Sequence, residues 1–444
     1  MAYTTITYGD LKDQLASRLG DASKTFWLDA ELGLYLIDAL RTFNALTGFW
    51  RQRAEFPSVA NQIFYDLRTV APGLCDYTVT DRDAITFMEY QLIEPPTPTV
   101  WTGSEMFTLD SLAKALQRRR DQYLLDTGMV VTADPLFAAS GPPATRTTFN
   151  DKIIDLRRVV FQEQASGRRS ALLRDDVVSF NAFKVNWEGA STKVPVAYSV
   201  GAVPPLTVMI APEPQVTGFF DVLSINAGAA LDPAVVATEL GVPDDWTWPL
   251  RFGALADLLA QDGPGRDVPR AQYAQQRYLE GVQLGTGLPA LQSLAVNNMG
   301  IQLMGVLEAD QFKRGWDSRR GRPIFGLTMG TNIMAVSPVA DQVYGMSIDV
   351  IRKAPVPTDD ADPVEVSREV LDGVLDYGQH LALFKTGGAD FARSGDLLDR
   401  FYRVCGVDLD HLRAAIPNLD VLTDRSKRDG QQTPRSETAQ GESS

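Results

Sequence analysis

The chain has two cysteines and two histidines among 444 residues, and that scarcity removes whole classes of chemistry. Cys75 and Cys405 are too few for a disulfide framework, which points to a reducing cytosol. A zinc centre would need H-E-x-x-H or several His and Cys ligands, yet His380 and His411 stand in different segments. There is no G-x-S-x-G, and a cysteine nucleophile would have to pair Cys75 or Cys405 with one of those histidines. A phosphate cradle of the form G-x-x-x-x-G-K-[ST] is missing too, since GDASK, GPGRD, GTGLP and TGGAD read as turns. The acidic DRD at 81 and DDAD at 359 lack the glycine and closing glutamate of a calcium loop. DDAD, which precedes a helix, is expected to place charge at that helix start, as are Asp244 and Asp245 at the earlier one. The expectation is therefore no catalytic residue, no metal and no cofactor.

Positive charge is also in deficit, with 42 Lys and Arg against 56 Asp and Glu and a net charge of −14. Such a field repels nucleic-acid backbones and anionic lipid. No apolar run is long enough to span a membrane, and the start MAYTTITYGDLKDQL lacks the layout of a signal peptide. With 44% hydrophobic residues the chain can bury a core, and its length suits two or three domains.

Apolar periodicity supplies the organisation. Leu11, Leu15 and Leu19, then Leu28, Leu32, Tyr35, Leu36, Ala39 and Phe43, recur at helical spacing and predict a helical hairpin pivoting near Gly20. Alternation over 51–67 and 78–92 predicts strands. Leu109, Leu112, Ala113, Leu116, Tyr123 and Leu124 predict a helix whose Arg118, Arg119 and Arg120 lie on a solvated face. DKIIDLRRVVFQ, RRSALLRDDVVSF, VPVAYSV and PLTVMIAPEP read as short strands, too close together for parallel crossovers and so mostly antiparallel. A strand block, a P-D-D-type linker and a helical hairpin then follow one another twice, ending in PLRFGALADLLAQ with RAQYAQQRYLEGVQL and in VSREVLDGVLDYGQHLALFK with SGDLLDRFYRVCGV.

The fold class expected is α+β, with helical hairpins on small, mostly antiparallel sheets. The units expected are 1–150, 151–290 and 291–422, followed by a disordered polar tail over 423–444.

Two stretches invite a functional reading. EVLDGVLDYGQHLALFK sets Asp372, Asp376 and His380 four residues apart, on one helical face. Val366, Val370, Val374, Tyr377, Leu381 and Phe384 form the core stripe, so the Asp–His column is expected to be a solvated edge, and Cys405 a small buried residue at a helix end. In FKRGWDSRRGRP, Lys313, Arg314, Arg319, Arg320 and Arg322 crowd around Trp316 in an otherwise acidic chain. That cluster is the candidate interface, facing either another copy of the chain or DNA.

The W-L-D-A-E-L helix start, the short strands ending in A-P-E-P, the P-D-D helix start, and LDYGQHLALFKTGGADF followed by LLDRFYRVCG resemble the head-to-tail adaptor or connector proteins in the neck of tailed bacteriophages. The resemblance runs over 1–50 and roughly 150–407. It implies a virion protein made in the bacterial host cytoplasm, forming a homo-oligomeric ring of about twelve copies by heterologous contacts. It further implies partners in the portal and tail proteins, passage of genomic DNA without sequence-specific binding, no membrane and no cofactor. The polar tail would extend over a neighbouring ring. The alternatives are a tail-tube, tail-hub or fibre-attachment protein, and a hydrolase working through carboxylates beside Trp187, Trp246 or Trp248.

Overall fold

The computed structural model describes residues 6–93, 106–139, 146–148, 152–183, 194–201, 207–212, 216–286, 290–313, 315–408 and 412. Arg314, His411 and the 423–444 tail lie outside these.

Helix α1 (Tyr8–Arg18) opens under a cap from the Thr7 side chain, and Gly20 takes a left-handed φ of 73° to turn the chain. Asp21 fastens that turn by accepting amides from Thr25, Phe26 and Trp27. Helix α2 (Asp29–Thr47) follows and stops at Gly48, again left-handed, so the expected hairpin is present. After β1 (Arg51–Pro57), β2 (Phe64–Asp66) and α3 (Leu67–Val70), the segment expected to be a strand over 78–92 is instead helix α4 (Asp81–Leu92). The Thr80 hydroxyl accepts from Asp83 N while the Asp83 carboxylate accepts from Thr80 N, a capping box that overrides the β-branched composition.

The chain continues through α5 (Leu109–Thr127), β3 (Thr132–Ala139), β4 (Arg146–Thr148), β5 (Ile153–Glu163), β6 (Arg169–Ala171), β7 (Leu173–Arg174) and α6 (Val177–Phe183). The second half of RRSALLRDDVVSF is thus helical, its start capped by Asp176 accepting from Ser179 N. Next come β8 (Ala197–Val200), β9 (Thr207–Ala211), β10 (Gly218–Asn226), a 3-10 turn at Asp244–Trp246, α7 (Trp248–Ala260) and α8 (Val268–Gly285). The last part holds β11 (Leu291–Val296), β12 (Met299–Gly305), α9 (Val306–Phe312), β13 (Phe325–Met329), β14 (Ile333–Ser337), β15 (Gly345–Ile351), α10 (Arg368–Thr386), α11 (Gly388–Arg393) and α12 (Gly395–Val404). Cys405 caps α12 and is buried.

The class is α+β with mostly antiparallel sheets. Leu11, Leu36, Leu112, Leu255, Tyr278 and Phe401 belong to one helical core, so the N-terminal hairpin, the α7–α8 pair and the α10–α12 pair bury one another's stripes. A seven-stranded sheet runs in the order β1-β15-β11-β12-β13-β14-β2. It curls until its outer strands approach, with Phe56 on β1 and Tyr65 on β2 at 5.8 Å between ring centroids. Met346, Ile348 and Val350 alternate into the interior with Leu294, Val336 and Tyr65, the two-residue period of a pleated strand in a small barrel.

Two four-stranded sheets, β3-β10-β5-β6 and β4-β9-β8-β7, pack face to face across Leu156, Phe161, Val222, Tyr198 and Ile210. A further cluster of Leu223, Trp316, Leu327 and Ile333 joins this sandwich to the outside of the barrel. The units expected in sequential order are therefore interleaved: 51–66 supplies two strands to a barrel otherwise built from 291–351.

Candidate functional site

Strand register gathers four connections at one end of the barrel. Pro57 pairs with Gly345, Val296 with both Met346 and Met299, and Phe325 with Ser337, so the loops after β1, β11 and β14 and the approach to β13 share a rim. Cross-links fix them together: Ser58 N donates to Tyr344 O at 2.8 Å, Asn61 N to Ala340 O at 2.8 Å, and Gly321 N to Val339 O at 3.0 Å.

The candidate interface residues divide on this rim. Arg319, Arg320 and Arg322 are exposed. Arg320 Nε donates to Asn61 Oδ1 at 2.9 Å and its Nη1 to Asp317 O at 3.2 Å, while Arg322 Nη2 reaches Val296 O at 3.3 Å. Among the described residues no carboxylate lies within ion-pair distance of these three, unlike Arg118, Arg119, Arg158 and Arg169. Lys313 lies over the Phe325 ring. Four aliphatic side chains, Val59, Met299, Ile324 and Val343, stand exposed around the arginines.

Trp316 does not belong to this surface. It is 1% exposed, its Nε1 donates to Asp310 Oδ1 at 2.8 Å, and the Arg158 guanidinium stacks 5.0 Å from its ring centroid. The neighbouring Asp317 is buried with Arg158 at 3.1 Å and Arg169 at 3.0 Å. Burial alone would raise its carboxyl pKa, and the two guanidiniums more than offset that and hold it low. Of the expected patch, Trp316 thus helps fasten sandwich to barrel, while Arg319, Arg320 and Arg322 face outward.

The Asp372–Asp376–His380 column departs from expectation in the same way. Asp372 is exposed and pairs with Arg18 at 2.7 Å; Asp376 is nearly buried between Arg18 at 2.9 Å and Arg400 at 3.2 Å; His380 is buried. Asp372 keeps the expected solvated edge, but the Asp376–His380 part is dry because Gly373, beside it, lets α12 approach: a Cβ there would sit 3.2 Å from Val404. His380 Nδ1 lies 3.0 Å from Ser394 O and so carries the proton, leaving Nε2 to accept from the Tyr273 hydroxyl. Burial, together with the nearby Arg277 charge, pushes its pKa down to about 3. This imidazole is neutral, saturated with partners and held inside the core.

Other charged groups behave alike. Arg120 is buried, donating to Ala229 O at 2.7 Å, and Arg119 pairs with Asp257 at 2.5 Å, so two of the three arginines expected in solvent hold elements together. Arg277, which sequence reasoning passed over, is buried with Glu280 at 2.7 Å, Tyr377 Oη at 2.9 Å and the Tyr402 hydroxyl. Its only sequence signal was an arginine on the apolar stripe of α8.

At the barrel's opposite end, a cavity of about 260 Å³ opens against the helical core, lined by Leu46, Leu74, Cys75, Asp245, Trp246 and Ile351. Burial and the charges of Asp76 and Asp66 push the Cys75 thiol up to about 12, the wrong direction for a nucleophile. Asp245 accepts from Asn44 Nδ2 at 2.5 Å and Ala354 N at 3.2 Å, and burial pushes its carboxyl up to about 7. Asp244 accepts from Thr78 N at 2.6 Å and Val79 N at 3.0 Å. Both aspartates bridge separate segments and do not serve a helix start. Asp362 likewise closes its own loop, accepting from Thr358 N at 2.8 Å and Asp359 N at 2.9 Å, before α10 begins at Arg368.

Among the described residues no cluster of His, Cys, Asp and Glu could hold a metal ion, and no helix is long and apolar enough to cross a membrane. Comparison of the chain with protein-family models and with curated proteins gives no match.

Proposed function

We propose that this chain is a structural subunit that assembles with copies of itself, as a head-to-tail connector in the neck of a tailed bacteriophage, stacked between portal and tail. The observation that carries the self-assembly part is the barrel rim, where Arg319, Arg320 and Arg322 meet exposed Val59, Met299, Ile324 and Val343. Arginine and aliphatic groups at the centre of a patch are the composition of a protein interface. An acidic body of net charge −14 suits a channel that must let DNA pass without holding it. The neck assignment itself rests on the sequence resemblance. The buried His380 and the raised thiol of Cys75 support a structural role over nucleophile–histidine chemistry.

Electron-microscope class averages of the purified full chain, alone and with a portal protein, test the reading. Closed rings of uniform copy number, about twelve, are the expected result. Monomers at every concentration, with or without portal, would overturn it.

A further inference from the structure

The rim needs a partner surface, and the chemistry of the rest of the molecule indicates which. Most cations among the described residues are spent internally: Lys12 on Asp29 and Asp360, Lys24 on Asp13 and Asp29, Arg18 on Asp372 and Asp376. The arginines of the rim have no carboxylate partner among the described residues, Arg320 and Arg322 meeting only neutral acceptors, and they sit at the barrel end remote from the helical body, because the other end is tied to it through Arg352 N to Trp50 O and Ala354 N to Asp245.

On that body, the start of α1 and the 359–362 loop lie together, with Gly9 N donating to Asp360 O at 2.9 Å. Lys12 and Lys24 here pair with Asp13, Asp29 and Asp360, and the two segments add Asp10, Asp359 and Asp362, an excess of negative charge. Asp10 and Asp359 are exposed and have no ion pair among the described residues.

Resting on the self-assembly reading above, we infer that the barrel rim of one copy docks on the acidic α1/359–362 face of the next, Arg319 and Arg320 meeting Asp10 and Asp359. The two faces differ, so the contact is heterologous, and a bound pair still presents one free rim and one free acidic face, to which further copies can add. The aliphatic ring of Val59, Met299, Ile324 and Val343 supplies the area that excludes water from the charge pairs. Nucleic acid fits the rim less well: three guanidiniums interleaved with aliphatic groups give few phosphate contacts, inside a field that repels phosphate.

The test is a charge swap in the full chain, read by sedimentation velocity over a range of concentration and salt. Arg319→Glu with Arg320→Glu, and separately Asp10→Lys with Asp359→Lys, should each weaken self-association at least about tenfold. An equimolar mixture of the two should associate again, because each reversed face then meets its complement. Ile324→Ser with Val343→Ser, at exposed positions, gives the same loss without altering charge and stands in should a reversed variant fail to show a wild-type melting curve. Association that ignores the reversals, or a mixture that stays dissociated, overturns these surfaces while leaving the assembly reading intact. A wild-type chain that never associates sinks that reading too. Binding of a short DNA duplex that is lost on rim reversal while self-association persists would assign the rim to nucleic acid and overturn the inference.

Discussion

A buried imidazole and a buried carboxyl give this molecule two opposed pH dependences. The folded pKa of His380 lies near 3 against an ordinary 6.5, so between those values the unfolded chain takes up a proton that the folded chain refuses. Its contribution is complete above pH 6.5 and is lost as pH falls toward 3. Urea unfolding of His380→Phe should show a shallower acid loss of stability than the wild type across that window. For Asp245 the folded pKa lies near 7 against 3.8, so the unfolded chain releases its proton first as pH rises. Wild-type stability should therefore decline between about pH 4 and 7, and an Asp245→Ala comparison should show that decline missing from the variant. Arg277 is the third case: Arg277→Leu leaves the Glu280 carboxylate buried without its cation and should cost about 3–5 kcal/mol in denaturant unfolding. None of these environments could be read from residue type alone, because a charged side chain on a helix says nothing about which neighbour covers it. A signal was present at His380 all the same: Gly373 on its face marks a place where another backbone comes close.

Helices α1, α2, α5, α7, α8 and α10 were legible as elements because their apolar residues recur at a spacing that only a helix turns to one side. The second faces of α5 and α10 were not. Each reads as a wet edge, yet α5 is covered there by Asp257 of the distant α7, and α10 in part by Arg400 of α12, the next long helix in the chain. In the α4 segment Thr, Val and Ile suggest a strand, while the signal that decides it is the four-residue Thr80–Asp83 box. Close approach also fixes the α7–α8 pair. A Cβ on Gly281 would stand 2.4 Å from Pro249 Cγ, so Gly281→Ala must push α8 off the start of α7. The expected cost is about 1–3 kcal/mol, visible as a lower melting temperature with unchanged helical circular dichroism.

For the whole molecule, the α+β class and most of the strands could be read from the sequence, whereas the way the segments share one core and one barrel could not. Periodicity reports that a face is apolar, not which other face will cover it. Interleaving has a direct consequence for truncation. A fragment ending at residue 290 keeps β1, β2 and the first helices but loses every barrel partner and the α10–α12 pair. It should melt without a cooperative transition and bind a hydrophobic dye, where independent units would give an ordinary sigmoidal curve. Because Asn61 answers Ala340 and Ser58 answers Tyr344, the rim does not exist until strands separated by more than half the chain have met. Under the proposed assembly, a nascent or misfolded copy has no formed rim to offer, so the geometry of barrel closure would itself screen which subunits join.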